Sequence, residues 1–551
     1  MTVIRDIVLD MARTFGDKPA LQIERGDGYY VVSYNNVLRL SINVAYHLMQ
    51  QGYTKGDKIA IVGNNSPEWV IAYFAIQIAG CTGVPIDRLL GADEIIHILH
   101  DSETKFLFAD DKYAEILGND PTPYLESMLS LSAENSQNIY SVITTTDMHD
   151  FKLFPDIGPE DDAVFLYTSG TTGKTKGVML TQRNIIANCE GTEKALILDE
   201  HDAVVSILPL HHAYEMTAGF LYVYSRGALI TYSLSLVARD ILKAIRYSRA
   251  TIMVGVPLVF EKMHATIVKN LHDQPIIRKF VINILFLLAR SVRLFNKKMN
   301  ATKNIFKPLL LKAGLYSIRH FVAGAAPLPP HVNYFFYLMG IPILQGYGLS
   351  ETSPVISVVS RDDIDFQSVG PAFYNLKVRI YRPDESGVGE IVVRGPSVMK
   401  GYYKEPEKTA QVLKRGWLYT GDYGFIDEKG RIHIKGRLKN VIVSTGGKNI
   451  YPEEIEDVLM QCPYIEEIVV FGKEEPEAMV FPNMENVETW AHQHKITDIT
   501  DDIVLKLIKT EIDKLNEKLA QYKRVRKITL RKDEFPKTST RKIKRFLVGQ
   551  E

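Results

Sequence analysis

Cysteine is scarce in this chain: Cys81, Cys189 and Cys462 are the three among 551 residues. Odd in number and widely spaced, they exclude a disulfide framework. They share no metal-ligand spacing and read as reduced thiols. An excess of charge of either sign is also missing, with 65 Lys and Arg against 65 Asp and Glu. No global field therefore selects nucleic acid as a partner. Long apolar runs are absent too. Phe280–Ala289 comes nearest, but it carries Asn283 and is about half of the roughly 20 residues a membrane span requires. An apolar leader core is missing from the first thirty residues, where Arg5, Asp6 and Asp10 intervene. The expectation is a cytoplasmic protein without disulfides, long enough for at least two domains.

What is present begins with Tyr167-Thr168-Ser169-Gly170-Thr171-Thr172-Gly173-Lys174-Thr175-Lys176-Gly177, directly after the strand-like Ala163–Leu166. Glycines let a backbone curl until successive N–H groups converge, and such a nest attracts phosphate oxygens. The hydroxyls add neutral donors, while Lys174 and Lys176 add positive charge. A Walker A loop ends the same way, but its first glycine is replaced here by Thr168. A bare loop of this composition is more often a surface linker. Its position behind a strand favours a nucleotide.

Four further strings follow in order. Leu208–Glu215 contains His211-His212-Ala213-Tyr214. Val322–Leu328 contains Gly324-Ala325-Ala326, small residues beside which a flat ligand can lie. Gln345–Thr352 sets Tyr347 between Gly346 and Gly348, with Glu351 four residues on. Trp417–Asp422 precedes a turn and Gly436-Arg437. A ring between glycines can lie against a base. A carboxylate such as Glu351 can hold a hard cation. A carboxylate can also accept from ribose hydroxyls, and a guanidinium can donate to ribose or phosphate. Taken singly, His212 and Asp422 have ordinary structural readings as a core histidine and a turn cap. The tail, Phe535–Ile543, is basic, and there Lys537, Lys542 and Lys544 compete for any catalytic role.

Together these strings resemble the adenylate-forming (AMP-binding) superfamily, most closely its long-chain fatty acyl-CoA synthetases. The resemblance covers essentially the whole chain in the family's order. It implies an α/β fold: a large N-terminal domain, 1–436, of parallel and mixed sheets covered by helices plus a β-subdomain, and a small mobile α+β domain, 437–551. It implies that Thr168, Ser169, Gly170, Thr171, Gly173, Lys174 and Lys176 cradle the phosphates of ATP, with Thr172 among the catalytic residues. Gly324, Ala325 and Ala326 would border adenine and the acyl pocket. Tyr347 and Gly348 would stack on adenine, with Glu351 on Mg2+ and Thr352 at the α-phosphate. Asp422 and Arg437 would hold ribose. His212 would lie near the carboxylate being activated, Lys439 at a hinge, and Gly446 and Gly447 beside the coenzyme A thiol. Lys542 would be the catalytic lysine. Glu215 and Arg541 stand where many relatives have glycine.

The activity so implied is formation of an acyl-adenylate followed by a thioester to coenzyme A, with a long-chain fatty acid preferred. An acyl carrier protein acceptor, an aryl substrate, a luciferase-like oxygenase and a non-catalytic adenylate-binding regulator are the alternatives. Residues Glu261–Lys312 hold eleven Lys and Arg against two Asp and Glu. Within them Lys279, Asn283, Arg290, Arg293 and Lys297 recur at helical spacing along Pro275–Lys298. That pattern suits either a helix at a membrane surface or one packed on the domain with its basic stripe in water.

Overall fold

Short apolar runs alternating with amphipathic helices build two large sheets in the computed structural model. It describes residues 2–113, 122–132, 134–143, 149–169, 175–295, 299–444, 448–537 and 543–548. The chain divides into two compact units, Met1–Val378 with Val393–Leu418, and Arg379–Val392 with Tyr419–Glu551.

The first unit carries a seven-stranded sheet in the order Gly401–Tyr402, Thr175–Thr181, Asp162–Ser169, Thr82–Pro85, Lys58–Val62, Phe106–Ala109, Ser127–Ser130. Lys58–Val62 pairs in parallel with both Thr82–Pro85 and Phe106–Ala109. Its Ala60 and Val62 are fully buried, as are Val84 and Leu107. Parallel strands covered on both faces must be apolar throughout, which is why these segments read as unbroken hydrophobic runs. Towards one edge the chain doubles back, pairing Tyr167 with Gly177, Thr168 with Lys176 and Ser169 with Thr175. The phosphate string thus belongs to an antiparallel hairpin, a pairing its composition did not announce.

An eight-stranded sheet follows in the order Val355–Val358, Ile343–Gly348, His320–Ala323, Ile252–Gly255, Ala203–Ser206, Leu229–Tyr232, Pro19–Arg25, Gly28–Ser33. Its interior strands are parallel, and the register sets Gly255 beside Ala323 and Ala323 beside Gln345. Segments leaving the C-terminal ends of these strands therefore emerge side by side, the usual place for ligands in open parallel sheets.

The helical insert departs from the expected charge pattern. Helix Ile276–Phe295 turns Phe286, Ala289 and Arg293 inward. Phe286 packs against Phe306 and Phe335 at centroid distances of 4.8 and 5.4 Å. Arg293 is buried, donates to the Tyr337 carbonyl at 2.9 Å and lies over the Tyr337 ring. It is therefore not part of a solvated basic stripe. Apolar residues face water instead: Ile276, Ile277, Phe280, Val281, Leu287 and Leu288 are each about half exposed or more.

Among the described residues the second unit contains most of a five-stranded sheet, the short pair Ile442–Val443 with Asn449–Ile450, and a three-stranded sheet. Strands Trp417–Ile426 and Ile432–Arg437 form a hairpin that pairs Asp422 with Arg437. A three-stranded sheet, Ile465–Phe471, Glu477–Pro482 and Lys527–Leu530, packs with helices Pro452–Leu459 and Asp501–Asn516 around Ile455, Leu459, Val480, Ile508 and Ile512. Helix Pro452–Leu459 opens on proline with Glu453 and Glu454 in its first turn, matching a helix N-terminus.

At Gly348 the backbone tolerates no side chain, since a Cβ there would meet the Pro354 carbonyl oxygen at 1.9 Å. Gly348→Ala is expected to lower stability by about 1–3 kcal/mol or more through overpacking. Gly28→Ala, which meets nothing within 4 Å, should change it little. Denaturant unfolding of the two variants checks this.

Candidate active site

Three segments far apart in sequence meet in the first unit. Lys176, on the return strand of the phosphate hairpin, lies 3.7 Å from Glu351 Oε1. The Tyr402 hydroxyl donates to the same oxygen at 2.8 Å. Lys176 Nζ also sits 3.8 Å from the centre of the Tyr402 ring, so that ring supports both charges. These side chains are partly shielded, Lys176 at 23% and Glu351 at 17% exposure, so the pair is weakly screened yet still reachable.

The turn carrying Glu351 is fixed from behind. Asn188, fully buried on helix Gln182–Ala195, donates to the carbonyls of Thr352 and Val355 at 3.1 and 2.8 Å. It also accepts from the Val355 N–H at 3.3 Å. Thr352 is buried, and its hydroxyl accepts from the Leu349 N–H at 3.1 Å, so it serves the turn's own backbone. Tyr347 is 9% exposed and closes the strand Ile343–Gly348. Because Ala323 registers with Gln345, Gly324, Ala325 and Ala326 leave the sheet beside Gly346 and Tyr347. Ala325 sits at φ 72°, a left-handed conformation that costs a non-glycine residue energy and gathers at functional loops. A Cβ on Gly324 would meet the Tyr214 ring at 2.9 Å, so the small-residue segment and the His string also touch.

That His string is anchored across to the other sheet. Asn65 donates to the Leu208 carbonyl at 2.6 Å and accepts from the Leu210 N–H at 2.9 Å. His211 Nε2 lies 3.4 Å from Asp87 Oδ1, and the His211 and His212 rings are 4.4 Å apart. Burial and the neighbouring His211 push His212 down to about 3, with Asp87 opposing, so its imidazole is neutral at physiological pH. Glu215, fully buried, is pushed up to about 8 by desolvation, against the Ser206 hydroxyl that donates to it at 2.5 Å. Its Oε2 makes no hydrogen bond. A neutral carboxyl is the form such a site tolerates.

In the second unit the hairpin faces Asp422 with Arg437 at 2.8 Å, Asp422 being 6% and Arg437 43% exposed. The flanking backbone is held by Thr420, donating to the Ile391 carbonyl, and by Glu390, accepting from the Gly421 N–H. Lys439 is exposed on the following short turn. Lys537 pairs with Glu467 and Glu534, and Arg545 with Glu456, so both ends of the tail are bound to the unit's own acids.

Gly170, Thr171, Thr172, Gly173, Lys174, Gly446, Gly447, Arg541 and Lys542 lie outside the described residues. Asn65, Asp87, Asn188 and Tyr402 are site residues that motif reasoning missed. The partners of Asn65, Asp87 and Asn188 lie more than a hundred positions away and Glu351 lies 51 from Tyr402, so no local spacing marks them; only Asn65, just before the helix-capping Ser66-Pro67, carries a turn signal.

The two-unit α/β architecture sets the hairpin of Asp162–Ser169 with Thr175–Thr181, the Glu351 carboxylate beside Lys176 and the Tyr347 ring between glycines in one unit. The solved anthranilate CoA ligase AuaEII, in complex with anthranoyl-AMP, shares that fold at a TM-score of 0.78 and 22% identity, covering 99% of this chain and 96% of that one. Residues 9–403 match the AMP-binding enzyme family and residues 439–550 the AMP-binding enzyme C-terminal domain, and the chain belongs to this family. Among relatives, it is 30% identical to long chain acyl-CoA synthetase 3 of Arabidopsis thaliana, over 85% of this chain and 76% of that protein. It is 29% identical to a long-chain-fatty-acid–CoA ligase of Bacillus subtilis, over 85% and 82%.

Glu215 provides a pH test. The folded chain retains its proton to about pH 8, whereas an unfolded glutamic acid releases it near 4.5. Stability from this group is therefore lost as pH rises between those values and levels off above them. Glu215→Gln should flatten the fall in melting temperature across that window, as calorimetry at a series of pH values would show.

Proposed function

We propose that this chain activates a long-chain fatty acid with ATP and transfers the acyl group to coenzyme A, releasing pyrophosphate and AMP. The observation that carries this is Glu351 held against Lys176, which joins the phosphate hairpin to the adenine-binding turn. The similarity to long-chain acyl-CoA ligases supports the choice of acid and acceptor.

In the first half-reaction a carboxylate oxygen attacks the α-phosphorus, and the bond to pyrophosphate breaks. Two anions approach each other, so the chain's task is chiefly electrostatic. The hydroxyls and lysines of 168–176, with Thr172 among them, cradle the phosphates. Tyr347 and Gly348 stack on adenine, Gly324, Ala325 and Ala326 leave room beside it, and Thr352 borders the α-phosphate. Asp422 accepts from ribose hydroxyls, with Arg437 beside it. Glu351 fits Mg2+: it is a hard oxygen donor whose orientation Tyr402 fixes, and the ion would neutralise phosphate charge. Neutral His212 can donate one hydrogen bond to the acid without adding charge. Lys542 supplies the cation shared by carboxylate and α-phosphate. The ion pairs that bind Lys537 favour Lys542 for this role.

In the second half-reaction the thiol sulfur attacks the acyl carbonyl, and AMP leaves with the electrons of the mixed-anhydride bond. We place the domain boundary at 436/437 with Lys439 as hinge, and Gly446 and Gly447 beside the thiol. A cytoplasmic setting fits three buried free thiols. Among the described residues no helix is long and apolar enough to cross a membrane. The exposed apolar ridge of Ile276–Phe295, with Arg278 and Arg290 also exposed, suits peripheral contact with an anionic bilayer.

With Mg-ATP, coenzyme A and acids of increasing length, AMP and pyrophosphate production should peak at long chains. It should fall on the order of a hundredfold or more in Lys542→Ala. Pyrophosphate without coenzyme A-dependent turnover would reassign the acceptor to a carrier protein. ATP binding with no turnover on any acid would make the chain a regulator. Separately, Phe280→Glu with Leu287→Glu should reduce sedimentation with phosphatidylserine vesicles and leave turnover of a short soluble acid unchanged. Equal sedimentation would remove the membrane assignment.

A further inference from the structure

Asp87, His211 and His212 come from two different sheets and converge at one point. Asp87 lies in the segment leaving strand Thr82–Pro85 of the seven-stranded sheet. The two histidines lie in the turn leaving strand Ala203–Ser206 of the eight-stranded sheet. One ligating atom from each side chain lies within 4.8 Å of the others. His211 is 8% exposed, and its Nε2 makes no hydrogen bond although it sits 3.4 Å from Asp87 Oδ1. A buried imidazole nitrogen facing a carboxylate without a hydrogen bond is an arrangement that a shared cation would complete.

The donor set is specific. Two imidazole nitrogens and one carboxylate oxygen suit Zn2+ and similar first-row ions, and they leave a fourth position open. Mg2+ prefers an all-oxygen shell. The surroundings hold the ligands in place. Asp87 Oδ1 accepts the Leu89 N–H at 2.9 Å, and Asn65 clamps the chain on both sides of Pro209. The His212 N–H donates to the Pro209 carbonyl at 3.0 Å, and the His212 carbonyl accepts from Met216 at 2.9 Å. Ligands at about 2.1 Å from a tetrahedral ion stand about 3.4 Å apart, so the three atoms, now within 4.8 Å of one another, need approach by only about 1.4 Å or less. Thiols do not compete, since all three cysteines are buried elsewhere in the chain.

We propose that Asp87, His211 and His212 bind one transition-metal ion of the Zn2+ type, and that its binding inhibits the ligase by holding His212 away from the acid. The inhibition rests on the role assigned to His212 under the proposed function; the binding does not. Glu351 is a separate site of different chemistry, so Mg2+ and Zn2+ act at different places on the chain.

The test uses the untagged full chain, stripped with a chelator and titrated with ZnCl2 by calorimetry and equilibrium dialysis. One Zn2+ per chain is expected, with affinity at least tenfold weaker in Asp87→Asn and in His211→Phe, and with no competition from MgCl2. Co2+ should give the visible absorption of a four-coordinate site in the wild type and lose it in both variants. Circular dichroism confirms that the variants fold, and either variant alone suffices. No stoichiometric Zn2+ in the wild type, or unchanged affinity in a folded variant, overturns the site. In the ligase assay at buffered free Zn2+, inhibition reversed by chelator and weakened tenfold in Asp87→Asn supports the regulatory half. Stoichiometric binding without inhibition overturns that half. A chain with no ligase turnover overturns the proposed function instead, while calorimetry still decides the metal site.

Discussion

The amide of Asn188 is the contact on which the Glu351 end of the first unit depends. It lies on the helix that follows the phosphate hairpin and makes three hydrogen bonds to the turn between Thr352 and Val355. Apolar faces can slide past each other at little cost. A buried amide cannot, because each displaced bond leaves a desolvated polar group unsatisfied. The position of Glu351 relative to Lys176 follows from this clamp. Asn65 does the same work at the other end, tying the His string of one sheet to the segment leaving Lys58–Val62 of the other.

Charge is handled differently at each site. Where phosphate or ribose is expected, cations and anions are paired within each unit, as in Lys176 with Glu351 and Arg437 with Asp422. Such pairs keep the charges oriented without stranding them. Deeper in the first unit charge is removed instead: His212 is held neutral by burial, and Glu215 retains its proton. Buried charge without a partner would carry a desolvation cost there.

The helical insert shows how packing can reverse a pattern drawn from charge. Spacing placed Arg293 on a basic stripe at a membrane surface or in water, yet its guanidinium is drawn under the helix to the Tyr337 carbonyl and ring. Guanidinium is weakly hydrated and stacks on aromatics, so burial against Tyr337 is affordable where a lysine's would not be. Apolar residues of the same helix, Phe280 and Leu287 among them, face outward.

Much of the fold was legible from the chain alone because it rests on local rules. Period and apolarity marked the strands at Lys58–Val62 and His320–Ala323, and glycine and proline marked their ends. The ordered strings from Tyr167 to Arg437 marked the family, since phosphate, base and ribose each demand particular side chains at short range. The roles of Asp87, Asn65 and Asn188 were not legible, because each acts on a partner more than a hundred residues away, and Tyr402 reaches Glu351 from 51 positions off. Sequence by itself determined which chemistry the chain carries: hydroxyls, lysines, carboxylates and small residues in a fixed order. Only the tertiary structure decided which of them meet, because strand register and buried amides, rather than spacing along the chain, bring Lys176 to Glu351 and Asp87 to His211.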